Sequence, residues 1–200
     1  MVNAPVRVGI LALQGGVREH ANTCESLGAQ VTLVRRPREL AQVEALVLPG
    51  GESSMIDKLS RAFDLQKPIQ AAIAAGLPVY GTCAGLILLA DRICDGIEGQ
   101  QTFGGLDVTV RRNAFGSQID SFESDLHAPD LGEEPVRAVF IRAPIVAEVG
   151  PAARSLATLP GGEVVAVEQG NLLGTSFHPE LTGETHFHAR LMDKARARRG

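Results

Sequence analysis

Short apolar runs punctuate the chain, each closed by glycine, proline or polar residues, with helix-like stretches between them. Residues 6–13 form the first run and read as a buried strand, and Gln14-Gly15-Gly16 turns the chain after it. Residues 17–27 read as a helix stopped by Gly28, because glycine takes the left-handed conformation that ends a helix. Residues 31–34 and 45–48 are the next two runs. Strand, helix and strand at this spacing predict a βαβ unit and a parallel sheet.

Pro49-Gly50-Gly51-Glu52-Ser53-Ser54 follows the third strand and leads into a helix beginning near Met55, with the serines as its caps. Residues 65–75 read as an amphipathic helix closed by Gly76-Leu77-Pro78, after which an apolar run reaches Gly81. A helix-like run at 86–90 and a loop at 95–100 come next, and residues 106–110 alternate as a strand does. From 111 to 135 the chain turns polar and turn-rich, which predicts an insertion or lid, not a second domain. Strands at 136–141, 164–167 and 172–175 and a closing helix at 185–199 complete one domain over residues 1–200. The expected class is α/β, a mostly parallel central sheet with helices on both faces.

Composition narrows this further. With 4% aromatic residues and no tryptophan the core has to be aliphatic, which suits parallel strands covered on both faces. A net charge of −4 gives nucleic acid no basic patch, and the basic residues at 194–199 read as a frayed, solvated helix end. The three cysteines, Cys24, Cys83 and Cys94, have no paired spacing, so a reducing, cytoplasmic compartment is expected, with no disulfide framework or zinc site. No run is long enough to span a membrane, and the first is too short for a signal peptide.

Candidate chemistry begins at Val79-Tyr80-Gly81-Thr82-Cys83-Ala84-Gly85-Leu86, a strand, sharp turn and helix around G-x-C-x-G, the cysteine counterpart of the nucleophile elbow. Side chains at 81 and 85 would collide with backbone in so tight a turn. The turn would lift the Cys83 thiol above the sheet at a helix N-terminus, which favours thiolate, and free the Ala84 N–H for a developing oxyanion. Taken alone, a buried inert cysteine explains the stretch equally well. Ser176-Phe177-His178-Pro179-Glu180 changes the balance. In extended chain, residues two apart face the same way, so Glu180 can orient the His178 imidazole. Cys83, His178 and Glu180 then supply nucleophile, base and orienter.

Three further features carry less on their own. The Gly50-Gly51 loop follows a strand, where open α/β sheets bind ligands, and it lacks the sequence of a phosphate-binding loop. Arg112 and Arg142, near predicted strand ends, offer forks for a substrate carboxylate, with surface ion pairs as the alternative. His186 and His188 diverge at spacing two on a helix, which predicts solvent-facing side chains and not a metal site.

Leu11-Ala12-Leu13-Gln14-Gly15, Leu48-Pro49-Gly50-Gly51-Glu52-Ser53, Gly81-Thr82-Cys83-Ala84-Gly85 and Ser176-Phe177-His178-Pro179-Glu180-Leu181 together resemble the class I (triad) glutamine amidotransferases. Phe103-Gly104-Gly105-Leu106-Asp107, Arg112-Asn113-Ala114-Phe115-Gly116, Asp120-Ser121-Phe122-Glu123 and Phe140-Ile141-Arg142-Ala143-Pro144 resemble its branch that serves as the glutaminase subunit of pyridoxal 5′-phosphate synthase, with Ser117 where many relatives carry a basic residue. The resemblance implies a three-layer, flavodoxin-like fold and hydrolysis of L-glutamine to L-glutamate and ammonia. It implies a partner, a (β/α)8-barrel pyridoxal 5′-phosphate synthase subunit that receives the ammonia. Cys83 is the implied nucleophile, His178 the acid/base and Glu180 its orienter. Gly50, Gly51, Glu52, Arg112, Ile141 and Arg142 fall at glutamine-contacting positions, and Ala84 and Gly51 at the oxyanion hole. No metal or organic cofactor is implied, since pyridoxal phosphate is the product of the complex. Gln14, at the same sheet edge as the Gly50-Gly51 loop, is the candidate activation switch, holding that peptide in its productive orientation. The open alternatives are the same chemistry serving another synthase, a catalytically silent interaction module, and a flavodoxin-like electron carrier. One tyrosine and no tryptophan leave the last little with which to stack a flavin.

Overall fold

The computed structural model describes residues 4–112, 121–132 and 134–199. The chain opens with β1 (Arg7–Leu11), α1 (Val17–Ser26), β2 (Gln30–Val34), the short α2 (Pro37–Leu40) and β3 (Ala45–Leu48). It continues through α3 (Ser53–Ala62), α4 (Gln66–Ala74), β4 (Val79–Thr82), α5 (Ala84–Leu89), β5 (Ala90–Cys94) and β6 (Leu106–Arg111). Then follow β7 (Ser121–Leu126), β8 (Val136–Ile141), β9 (Ile145–Val149), β10 (Arg154–Thr158), β11 (Val164–Gln169) and β12 (Leu172–Thr175). A 3-10 turn at Pro179–Leu181 and α6 (His186–Arg199) close the chain.

The strand order β2-β1-β3-β4-β12 is parallel throughout. Beyond β12 the sheet continues through β11, β9, β6 and β5, with antiparallel pairing from β12 to β6. Side chains alternate faces along a strand, so β3 serves two cores at once. Ala45 and Val47 pack with Cys24 of α1 and with Phe187, Leu191 and Met192 of α6. Leu46 and Leu48 pack with Ile56 of α3, Ile69 of α4 and Leu86 of α5. Burial on both faces is why the run reads as uninterrupted apolar sequence.

β7 and β8 form a separate antiparallel pair, with Leu126, Ala138 and Phe140 turned into the core shared by α1 and α6. Of the stretch expected as an insertion or lid, residues 113–120, Ser117 among them, and residue 133 lie outside the described residues; residues 121–126 form β7. The helix expected at 86–90 starts earlier, at Ala84, and Ala90 is already extended (φ −63°, ψ 140°) and begins β5. The basic end of α6 is not frayed. Arg199 bonds Glu44 and the Ala4 and Pro5 carbonyls at 2.8 Å each, and Lys194 lies 2.7 Å from Glu168 Oε1. The Arg199 side chain is the main reason the Glu44 carboxyl titrates as low as about 2.

Candidate active site

Gln14, Gly50, Cys83 and His178 follow β1, β3, β4 and β12, so the parallel half of the sheet delivers all four to its carboxyl edge. β4 lies between β3 and β12, and Thr82 stands level with Thr175. A cleft of about 620 Å³ opens there, with Gln14, Cys83, Arg142, His178 and Glu180 in its wall. Gly50, Gly51, Glu52, Arg112 and Ile141 also line it. Ala84, buried next to Cys83, is the first residue of α5, where backbone N–H groups lack an intrahelical acceptor.

Cys83 holds φ 50° and ψ −104°, a strained conformation for a residue with a side chain. Its neighbours explain how the turn closes. A Cβ on Gly85 would stand 2.0 Å from the Leu48 carbonyl oxygen, and one on Gly81 2.5 Å from the Gly85 carbonyl. Only bare glycines let helix and strands approach this closely. Cys83 is 7% exposed, on the floor of the cleft. Cys24, by contrast, is buried in the core, and burial pushes its thiol up to about 12.

His178 and Glu180 come together by a route other than extended chain. Pro179 opens the 3-10 turn, a position suited to its fixed φ, and the turn brings Glu180 Oε1 to 2.8 Å from His178 Nδ1. The His178 backbone N–H donates to the Val139 carbonyl of β8 at 2.9 Å, which fixes the chain at this residue. Burial works against a charge on this imidazole, but the neighbouring Cys83 and Glu180 prevail and raise its pKa from 6.5 to about 10.

The loop after β3 packs against both. A Cβ on Gly50 would lie 2.4 Å from His178 Cε1, and one on Gly15 1.6 Å from the Gly50 oxygen. The Gly50 carbonyl is therefore turned to Gly15, and across the trans peptide the Gly51 N–H points the other way. Gln14 reaches this loop one peptide further on, its Oε1 accepting the Glu52 N–H at 2.8 Å. Glu52, not the serines, caps α3, since its carboxylate is long enough to reach the Met55 N–H at 2.8 Å. Burial pushes the Glu52 carboxyl up, but the Ser54 hydroxyl, two backbone N–H groups and Arg112 bring it below the usual range.

The two arginines offered as forks for a carboxylate are held differently. Arg112 is engaged by Glu52 Oε1 at 2.8 Å and Gln100 Oε1 at 3.0 Å. Arg142, at φ 42°, carries no ion pair or hydrogen bond among the described residues and is the cation available to a ligand. The reading of His188 is overturned: His186 is half-exposed beside Glu184, but His188 is fully buried. Its Nε2 lies 2.8 Å from Nδ1 of His20, a residue the sequence reading passed over. The signal was present. His188, Leu191, Met192 and Ala195 form the buried stripe of α6 at helical spacing, as His20, Thr23 and Cys24 do on α1.

A pattern described as the SNO glutamine amidotransferase family matches residues 10–196. The chain is 63% identical over 198 residues to the pyridoxal 5′-phosphate synthase subunit PdxT of Leifsonia xyli subsp. xyli, covering 99% of this chain and 100% of that one. It is 53% identical over 198 residues to the PdxT of Streptomyces avermitilis, with 99% and 98% covered. A crystal structure of a glutamine amidotransferase superposes with a TM-score of 0.88 at 42% identity, over 94% of this chain and 98% of that one. A glutamine amidotransferase from Thermotoga maritima shares the fold alone, with a TM-score of 0.61 at 15% identity over 98% and 86%. The family pattern runs from the first strand to the last helix and relatives more than half identical span nearly the whole chain, so this protein belongs to the SNO glutamine amidotransferase family.

Proposed function

We propose that this chain is the glutaminase of a pyridoxal 5′-phosphate synthase, hydrolysing L-glutamine to L-glutamate and passing the ammonia to a (β/α)8-barrel subunit. The observation that carries the proposal is the convergence of Cys83, His178 and Glu180 in one cleft, with Glu180 Oε1 2.8 Å from His178 Nδ1, beside an uncommitted arginine. The names of the near-full-length relatives support the synthase and the partner. The three cysteines are unpaired, as a cytoplasmic enzyme needs of its nucleophile.

Cys83 sulfur attacks the side-chain amide carbon of glutamine. The oxyanion is met by the Ala84 and Gly51 N–H groups, the second supported by the orientation of the Gly50 carbonyl. The protonated His178 gives its proton to the departing nitrogen as the C–N bond breaks, leaving ammonia and a thioester. Neutral His178 then takes a proton from water, whose oxygen attacks the thioester; the C–S bond breaks and glutamate leaves. Glu180 keeps the imidazole in the tautomer that serves both steps. Arg142 receives the substrate carboxylate, while Arg112 acts through Glu52, whose loop it holds. Gln14 holds the same loop from the other side and sets how readily the Gly50-Gly51 peptide presents its N–H.

Ammonia release from glutamine, measured with and without the barrel subunit, tests this. Activity is expected to be low alone and to rise about 10²–10³-fold with the partner, the worth of one oxyanion donor. No hydrolysis in the presence of the partner would overturn the assignment. Full activity without it would remove the switch and leave the triad.

A further inference from the structure

Behind the Glu180 carboxylate lies a pair of imidazoles, His20 of α1 and His188 of α6, both 0% exposed. His20 Nδ1 is 2.8 Å from His188 Nε2. His20 Nε2 is 3.1 Å from Thr82 Oγ1 and 3.4 Å from Glu180 Oε1, the same oxygen that accepts the proton of His178 Nδ1. Thr82 immediately precedes the nucleophile, so this nitrogen faces both the elbow and the carboxylate.

A neutral imidazole has one N–H and one lone pair, so two proton arrangements satisfy the His20–His188 bond. In the first, His188 Nε2–H donates to His20 Nδ1, and His20 Nε2–H donates to Thr82 Oγ1 with Glu180 Oε1 beside it at 3.4 Å. In the second, His20 Nδ1–H donates to His188 Nε2. His20 then turns a lone pair on the carboxylate, and His188 Nδ1 bears a buried N–H with no hydrogen-bond partner among the described residues. The second sets negative density against negative charge and strands a donor. The first leaves one unmatched lone pair on His188, the milder defect, since orphaned buried N–H groups are rarer than under-satisfied acceptors. Burial keeps both rings neutral: it pulls His188 down to about 4, and burial with the neighbouring His188 and His178 pulls His20 well below its ordinary value.

We infer that His20 is a positioning residue of the site, its Nε2–H holding the Glu180 carboxylate against His178, with His188 fixing the tautomer that makes this possible. The inference rests on the reading of Cys83, His178 and Glu180 as the triad. It joins the triad to α1 and α6 through the 3.4 Å contact of His20 with Glu180 and the His20–His188 bond.

Nitrogen-15 NMR of the imidazoles in the full chain near neutral pH reads the tautomers directly, with His20→Gln and His188→Gln assigning the signals. Both residues are expected as neutral Nε2–H tautomers; an Nδ1–H tautomer or an imidazolium at His20 would overturn the inference. In the glutaminase assay with the barrel subunit, His20→Leu should lower kcat about 10–100-fold, the usual cost of losing an outer-shell partner. KM should change by less than about twofold, because the contact serves chemistry and not binding. His20→Gln, whose amide nitrogen reaches the Nε2 position, should recover most of the loss. An unchanged kcat in folded His20→Leu, or equal loss in both variants, would make the residue mere packing. A wild-type chain inert toward glutamine with its partner would instead refute the triad reading, while the tautomer result decides this inference by itself.

Discussion

One methyl group added at Gly50 tests the geometry of the site. The new Cβ would lie 2.4 Å from His178 Cε1, 3.2 Å from its Nδ1 and 3.4 Å from Cys83 Cβ. Carbon atoms settle about 3.5–4.0 Å apart, so base or loop must shift by roughly 1 Å. Gly50 is not among the positive-φ residues, so alanine adds no backbone strain and the effect is steric. Neither side gives way easily: His178 is tied to Val139 and Glu180, and the Gly50 carbonyl is packed on Gly15. A displacement of about 1 Å at a reacting group costs about 10² in rate, or about 2.7 kcal/mol of barrier. Gly50→Ala is therefore expected to keep its circular dichroism and its Cys83 alkylation while kcat, measured with the barrel subunit, falls about a hundredfold. Gly16→Ala is the control: at φ −72°, with its nearest contact 3.6 Å from the new Cβ, it should behave as wild type. A wild-type kcat in Gly50→Ala would refute the packing of loop against base.

Cys83→Ala should abolish ammonia release, whereas Cys24→Ala, in the core and not in the cleft wall, should lower the urea midpoint and spare turnover. Arg142→Ala should weaken glutamine binding by about 1.5–3 kcal/mol in a calorimetric titration, the worth of a charged hydrogen bond, while Arg112→Ala should lower kcat through the freed Glu52 loop; equal effects on affinity would show that both touch substrate. Stability should peak near pH 6.5. The His178 pKa is raised to about 10, so its contribution is full below 6.5 and is lost as pH climbs towards 10. The His188 pKa is lowered to about 4, so stability falls as pH drops from 6.5 towards 4, and His188→Gln should flatten that acid limb in urea unfolding.

What sequence discloses here follows from what each contact spans. β3 and β12 are visible because both faces are buried and the apolar run is unbroken. β5, with Asp91 and Arg92 exposed, has no such run and no strand is legible there. Cys83, His178 and Glu180 declare themselves because the chemistry fixes a tight turn and a short spacing. The engagement of Arg112 by Glu52 joins residues far apart in sequence, and no local pattern announces it. Serines at 53 and 54 are the usual cap residues, yet the longer Glu52 carboxylate reaches the same N–H from one position earlier. His188 misled because spacing from His186 was weighed, when its place in the apolar stripe of α6 decides its burial.

The two halves of the site are held by different physics. His178 is fixed by a strand carbonyl, a carboxylate and, behind that, a pair of fully buried rings. Moving any of these strands a polar group in the core, at about 1–3 kcal/mol each. The Gly50-Gly51 loop hangs on Glu52, whose N–H is bound by Gln14, whose Oε2 caps α3 and whose Oε1 takes Arg112. The Glu52 side chain is 47% exposed, and ion pairs in contact with water are worth only about 0–1 kcal/mol. Gln14, Arg112 and the start of α3 thus all meet the Gly50-Gly51 loop through Glu52 and not through Cys83 or His178.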